Sequence, residues 1–258
     1  MHPTRVLLAL SSVFAAATAY VGEAPNIIKH DGKPVGKSSF IDGVEMYISR
    51  PKGKRSDTAV LYLPDAFGIP LLQNRLLVDS FARAGFLTVM PDIFRGDPAP
   101  HDITFDAAEF LSKHNPNTTD PVVETTINYI RNKLGVKHVA VTGYCFGGRY
   151  AFRFLAKGRG ADVGFTAHPS LLQDDEVLAI DGPIAIAAAE IDSLFEPERR
   201  LTVEGLLGQT AQPFQINLYS GTQHGFGTRG NVSIPEQKFG KEEAFWQAVR
   251  WFNAWSDA

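Results

Sequence analysis

The stretch "VAVTGYCFGGRYAFRF", residues 139–154, decides the fold. Its first half is a short apolar and β-branched run, the pattern of a strand buried on both faces. Gly143, Gly147 and Gly148 crowd the turn that follows, and residues 147–157 then read as a helix. A strand, a tight glycine-rich turn and a helix together lift one side chain above the edge of a parallel sheet. The side chain lifted is Cys145, the one cysteine of the chain. A lone cysteine forms no intramolecular disulfide, and most free cysteines are small buried hydrophobes. A structural cysteine has no need of flanking glycines, so this pattern favours a nucleophile.

The same turn carries its own electrostatics. A helix starting near Phe146 aims its free N–H groups and positive dipole end at the sulfur, which favours thiolate. The Phe146 N–H is also placed to hold an oxyanion. The glycine spacing is not G-x-G-x-x-G, so a dinucleotide site is unsupported. There is no P-loop and no paired-cysteine metal motif, and no metal or organic cofactor is expected.

Working outward, apolar runs at 58–64, 86–92, 138–143, 162–167, 183–189 and 214–220 read as strands. Asp42-Gly43 marks a tight hairpin before them. Apolar spacing predicts helices over 71–85, 120–135 and 241–255, with Asp120 as N-cap, Pro121 at the first position and Gly135 as the stop of the second. The proline-rich segment 95–102 reads as a surface loop. Short strands alternating with helices mean an α/β fold, with a mostly parallel sheet covered by helices on both faces. Residues 20–258 are expected to form one domain.

Composition fits a globular protein with a full core: 258 residues, 44% hydrophobic and 21% charged. A net charge of −3 argues against nucleic acid as a partner. The first residues, "MHPTRVLLALSSVFAAATAY", join one positive charge to a short apolar run and an Ala17-Thr18-Ala19 cleavage pattern. This reads as a secretory signal peptide over about 1–19, too short for a membrane span. With it removed, no membrane segment is expected. Asn117-Thr118-Thr119 and Asn231-Val232-Ser233 are glycosylation sequons consistent with secretion.

An elbow nucleophile needs a base, and the base an orienting acid, in chain order nucleophile, acid, histidine. Of the seven histidines, His224 follows the last strong strand between glycines and is the expected base. His168 stands at the correct rim but precedes any plausible acid. Asp192 follows the strand at 183–189 and is the expected acid. Glu190 is its close rival, though alternating side chains let only one of the two face the site.

With these three residues, the chain resembles the dienelactone hydrolase family of the α/β-hydrolase fold, particularly its fungal branch. The matching pieces are "PDAFG", "AGFLTVMPDIFRGDP", "GYCFGGRYA", "AHPS", "EIDSLFEP" and "GTQHGF". The resemblance implies Cys145 as nucleophile, Asp192 as acid and His224 as base. It adds the Ala66 N–H to Phe146 in the oxyanion hole. Asp65 stands where bacterial members carry a thiol-activating glutamate, one methylene longer. Arg95 and Arg229 lie one residue off the family's carboxylate-binding arginines.

The implied function is hydrolysis of a lactone or activated ester through a thioester, with a small-molecule ester or lactone as the partner. A carboxylesterase or thioesterase on the same machinery remains open. So does a non-catalytic small-molecule binding protein that keeps the pocket.

Overall fold

The computed structural model describes residues 27–53, 57–100 and 106–256. The expected leader, and part of the loop at 95–102, lie outside them. The chain opens with a hairpin of β1 (Lys37–Ile41) and β2 (Val44–Ser49), turning at Asp42-Gly43. Then come β3 (Thr58–Leu63), α1 (Leu72–Arg83), β4 (Leu87–Pro91), α2 (Ala107–Lys113) and α3 (Pro116–Asn128). The central unit is β5 (His138–Tyr144) and α4 (Phe146–Leu155), followed by β6 (Val163–Ala167) and α5 (Asp174–Leu178). The chain ends with β7 (Ile184–Ile191), α6 (Pro197–Leu207), β8 (Phe214–Gln223), α7 (Phe226–Arg229) and α8 (Pro235–Trp255).

The strands form one eight-stranded sheet in the order β1-β2-β4-β3-β5-β6-β7-β8. β2 runs antiparallel to β1 and β4, and all other neighbours are parallel. This is the α/β-hydrolase arrangement expected from the strand pattern. The wholly buried β3 shows why such a strand lacks polar alternation. Val60 and Tyr62 pack towards Phe81 of α1 and Phe245 and Phe252 of α8. Ala59, Leu61 and Leu63 pack on the other face, against Val123 of α3 and Tyr150 of α4. Each such fully buried aliphatic or phenyl side chain contributes roughly 1.5–3 kcal/mol.

Four short helices, α2, α5, α6 and α7, carry too little apolar periodicity to be read from the sequence. Two helices begin earlier than the sequence predicts: α8 at Pro235 rather than 241, and α3 at Pro116 rather than 120. The N-cap of α3 is Asn115, not Asp120: its side chain accepts from the Asn117 N–H, and Thr118 completes a capping box. Pro116 therefore takes the first turn, where a missing N–H costs nothing, and Pro121 falls inside the helix. The carboxylate of Asp120 binds Arg153 and Arg159 instead. The helix then runs through a π-helical turn, Tyr129–Lys133, to Gly135.

The β5–α4 turn is held by backbone pressed on backbone. A Cβ on Gly143 would stand 2.2 Å from the Gly147 carbonyl oxygen, and one on Gly147 2.2 Å from that of Leu63. Neither oxygen can yield, because each belongs to the main chain of the central sheet or of its helix. Gly143→Ala and Gly147→Ala should therefore each destabilise the fold by about 3 kcal/mol or more. Thermal or denaturant unfolding of the purified variants checks this; a melting temperature within a degree or so of wild type would refute it.

Candidate active site

Cys145 stands at the C-terminal end of β5, where the chain turns into α4. Its backbone holds φ 51°, a conformation that L-residues with a Cβ rarely adopt. The strain is held from both sides: the Cys145 N–H donates to the Ala167 carbonyl, and its own carbonyl accepts from Gly148 and Ser170. Cys145 is left partly exposed at the N-terminus of α4.

Two partners reach it from later strand ends. His224 Nε2 lies 3.0 Å from Sγ. Nδ1 of the same ring lies 2.9 Å from each oxygen of Asp192. Asp192 follows β7, and its buried carboxylate also accepts the N–H groups of Leu194 and Phe195. Bonded on both sides, the ring has its orientation fixed.

A bulge explains how two adjacent parallel strands deliver these groups to one point. Ala189 pairs with Tyr219, yet Ile191 pairs with Gln223, so β8 carries two extra residues there. Glu190 pins the bulge by accepting from the Ser220 hydroxyl and the Gly221 N–H. The Gly221 N–H, then the Ser220 hydroxyl, hold the Glu190 carboxyl below its ordinary value. Glu190, the rival acid, therefore faces away from His224 and shapes the strand that presents it.

Burial alone would push the His224 imidazole down. The bonds to Asp192 and Cys145, and their charges, outweigh it and carry the group up to about 9. At neutral pH the ring holds its proton between the sulfur and the carboxylate.

Two backbone N–H groups, one at the start of α4 and one in the loop after β3, donate to no backbone acceptor among the described residues. Phe146 is the first residue of α4, so its N–H has no acceptor within the helix. The Ala66 N–H likewise meets no backbone acceptor among the described residues. Ala66 and Phe67 pack in the same cluster as Cys145 and Phe146.

Asp65 does not touch the thiol. Its fully buried carboxylate is saturated: Oδ1 accepts from Phe67 N–H and Asn74 Nδ2, and Oδ2 from Thr228 Oγ1 and Arg229 Nε. Hydrogen bonds to a charged group contribute about 1.5–3 kcal/mol each, so this carboxylate is anchored in place. Arg229, in α7, thus has its Nε committed to Asp65, and its guanidinium lies over the Phe67 ring, 4.9 Å from the centroid. Arg95 is not brought to this group. It sits beyond β4 on a turn held by the Asp92 carboxylate and lines a depression with Phe40, Glu45 and Val122, beside the hairpin.

Two further residues stand beside Cys145 and His224: Ser170, which the sequence did not single out, and His168, which it weighed only as a rival base. Ser170 Oγ lies 3.9 Å from Sγ. His168 is fully buried, with its ring set edge-on to that of His224 at 5.1 Å between centroids. Burial, then the nearby His224 and Arg229 charges, hold it far below its ordinary value, so it is neutral. Both belong to the "AHPS" segment after β6, which no spacing rule ties to the nucleophile. Among the described residues, no group of three or more His, Cys, Asp or Glu side chains is arranged to hold a metal ion. Nor is any helix among them long and apolar enough to cross a membrane.

Comparison with known proteins agrees with this architecture. The model of the dienelactone hydrolase family matches residues 44–256. Hydrolase pyvD of Aspergillus violaceofuscus is 41% identical over 226 residues, covering 87% of this chain and 92% of its own. Dienlactone hydrolase 1 of Gibberella moniliformis is 30% identical, covering 88% and 90%. The crystal structure of a dienelactone hydrolase from Anabaena variabilis superposes with a TM-score of 0.62 at 12% identity, over 87% of this chain and 98% of that one.

The elevated His224 value has a measurable sign. The folded state holds this proton more tightly than the unfolded chain, whose value is near the ordinary 6.5. Its stabilising contribution is complete below pH 6.5 and is lost as pH rises towards about 9. Asp192→Asn keeps the shape and removes the charge. The His224 midpoint, followed by NMR of the ring proton, should then fall by about one unit or more. An unmoved midpoint would show that Asp192 does not set it.

Proposed function

The chain belongs to the dienelactone hydrolase family, and on that premise we propose that it hydrolyses a lactone or activated ester with Cys145 as nucleophile. The observation that carries this reading is the unbroken chain of contacts from Asp192 through His224 to Sγ.

In the proposed mechanism, the sulfur attacks the carbonyl carbon as thiolate, and the carbonyl π electrons move onto oxygen. The resulting oxyanion is received by the N–H groups of Phe146 and Ala66. Collapse breaks the ester C–O bond, and the leaving oxygen takes the proton from His224 Nε2. In a lactone that oxygen stays tethered to the acyl group. The product of this half-reaction is a thioester on Cys145.

The second half-reaction needs His224 as a base. Once the sulfur is acylated it no longer bears charge, so two of the influences that raise the imidazole are gone. The ring can then take a proton from water as the water attacks the thioester carbon. Collapse expels thiolate, releases the carboxylic acid and restores the starting ion pair. Thiolate leaves readily and drives poorly activated amides poorly, so enol-lactones and activated or thiol esters are favoured over peptides.

Cys145→Ala should lower turnover of a chromogenic ester or enol-lactone by at least about a thousandfold while leaving the melting temperature near wild type. Quenching wild type during turnover should trap an acyl adduct on the Cys145 peptide by mass spectrometry. Full turnover by the alanine variant would overturn the reading.

We also propose that residues 1–19 direct the chain into the secretory route, on the strength of their charged, apolar and small-residue order. The exposed Asn117 and Asn231 are then open to glycosylation. In a secreting eukaryotic host, the mature N-terminus should start near residue 20; an intact Met1 start would refute this.

A further inference from the structure

β8 closes one end of the sheet, and no described strand pairs with its outer edge. Natural sheets blunt such edges with short strands, lysines, prolines or covering elements, because a bare edge recruits another strand. The opposite edge obeys this: β1 has five residues and begins at Lys37. β8 carries its bulge only past Tyr219, and the six residues before it, Phe214–Tyr219, include no charge and no proline.

Its surroundings are apolar as well. Leu218 is 55% exposed and Phe214 38%. A groove runs along each face of the strand. On one face, Pro197, Leu201 and Glu204 of α6 form the groove wall against Phe214, Ile216 and Leu218. On the other, the wall is Pro235, Glu236 and Phe239 at the start of α8. Leu201 and Phe239 are 69% and 65% exposed. The strand therefore stands as a ridge between two apolar troughs, a shape that one further strand with its own flanking helices would fill.

We propose that this edge is a homodimer interface, in which β8 pairs antiparallel with β8 of a second copy and the two sheets join into one. A two-fold axis perpendicular to the sheet turns the strand into its own antiparallel neighbour, so the surface is self-complementary and the assembly closed. The strand brings no like charges together, because it has none. The same axis sets α6 beside α6 of the second copy, running the opposite way. Arg200 and Glu204 lie one turn apart on that helix, at the groove. Arg200 binds the carbonyls of Ala189 and Phe195 and its charge also acts on the Glu190 carboxylate, with no carboxylate brought to ion-pair distance among the described residues, while Glu204 stands exposed at the groove. Pairing across the axis supplies each with the other. None of this depends on the chemistry at Cys145.

Sedimentation equilibrium and light scattering of the full chain at micromolar concentration test it. The expected particle has about twice the 28.2 kDa chain mass. Leu218→Lys and, separately, Leu201→Glu should each weaken association by about a hundredfold or more, with the melting temperature and ester turnover of the monomer retained. Two positions on different elements guard against one variant failing to fold. A monomeric wild type, an open-ended series of aggregates, or a dimer that survives both substitutions would overturn the proposal.

Discussion

The contact on which the molecule depends is main chain against main chain, where β3, β5 and α4 converge. At Gly143 and Gly147 there is no room for a single methyl group. Because strand and helix approach so closely, the intervening residue is forced to φ 51° and its sulfur is thrust above the sheet. The same closeness sets the Pro64–Ala66 segment beside the start of α4: the Gly147 N–H donates to the Pro64 carbonyl. The Phe146 and Ala66 N–H groups on either side of that bond donate to no backbone acceptor among the described residues. One steric constraint thus arranges the nucleophile and its surroundings, and the later strands need only deliver two side chains to its position.

Electrostatics around that point are sorted by burial. Asp65 is saturated with four donors and tied to Arg229, so it acts as a brace between the β3 loop and α7. Asp192 also accepts backbone N–H groups, but both of its oxygens reach the imidazole. His168, neutral and enclosed, lets an imidazolium sit 5.1 Å away without a second positive charge opposing it. A solvated histidine there would titrate with His224 and weaken its hold on the proton.

How much of this was legible in the sequence depends on what each element is made of. The β5 run, the glycines around Cys145 and the Asp42-Gly43 hairpin carry backbone requirements that few residues meet, so the strand–turn–helix order could be read directly. Chain order and strand ends were enough to single out Asp192 and His224, which the fold brings within hydrogen-bond distance of each other, with His224 also reaching the thiol. The start of α3 was misread because Asp-Pro at 120–121 imitates a helix start, while the true cap, Asn115 with Thr118, lies five residues earlier. Asp65 could not be understood from its position alone. Its four donors come from segments as far apart as Phe67, Asn74 and Thr228, and only the closed fold assembles them. Arg95 matched by neighbourhood in the chain, but the Asp92 turn places it beside the hairpin.

The two extra residues in β8 work as a shim of fixed thickness. Side chains on a strand alternate faces, so the parity of residues between Tyr219 and His224 decides which way the imidazole points. Removing one residue from 220–222 would invert that parity and turn the ring from the sulfur, though no atom of the three groups had been altered. A single-residue change in length at this spot would therefore cost the site its histidine.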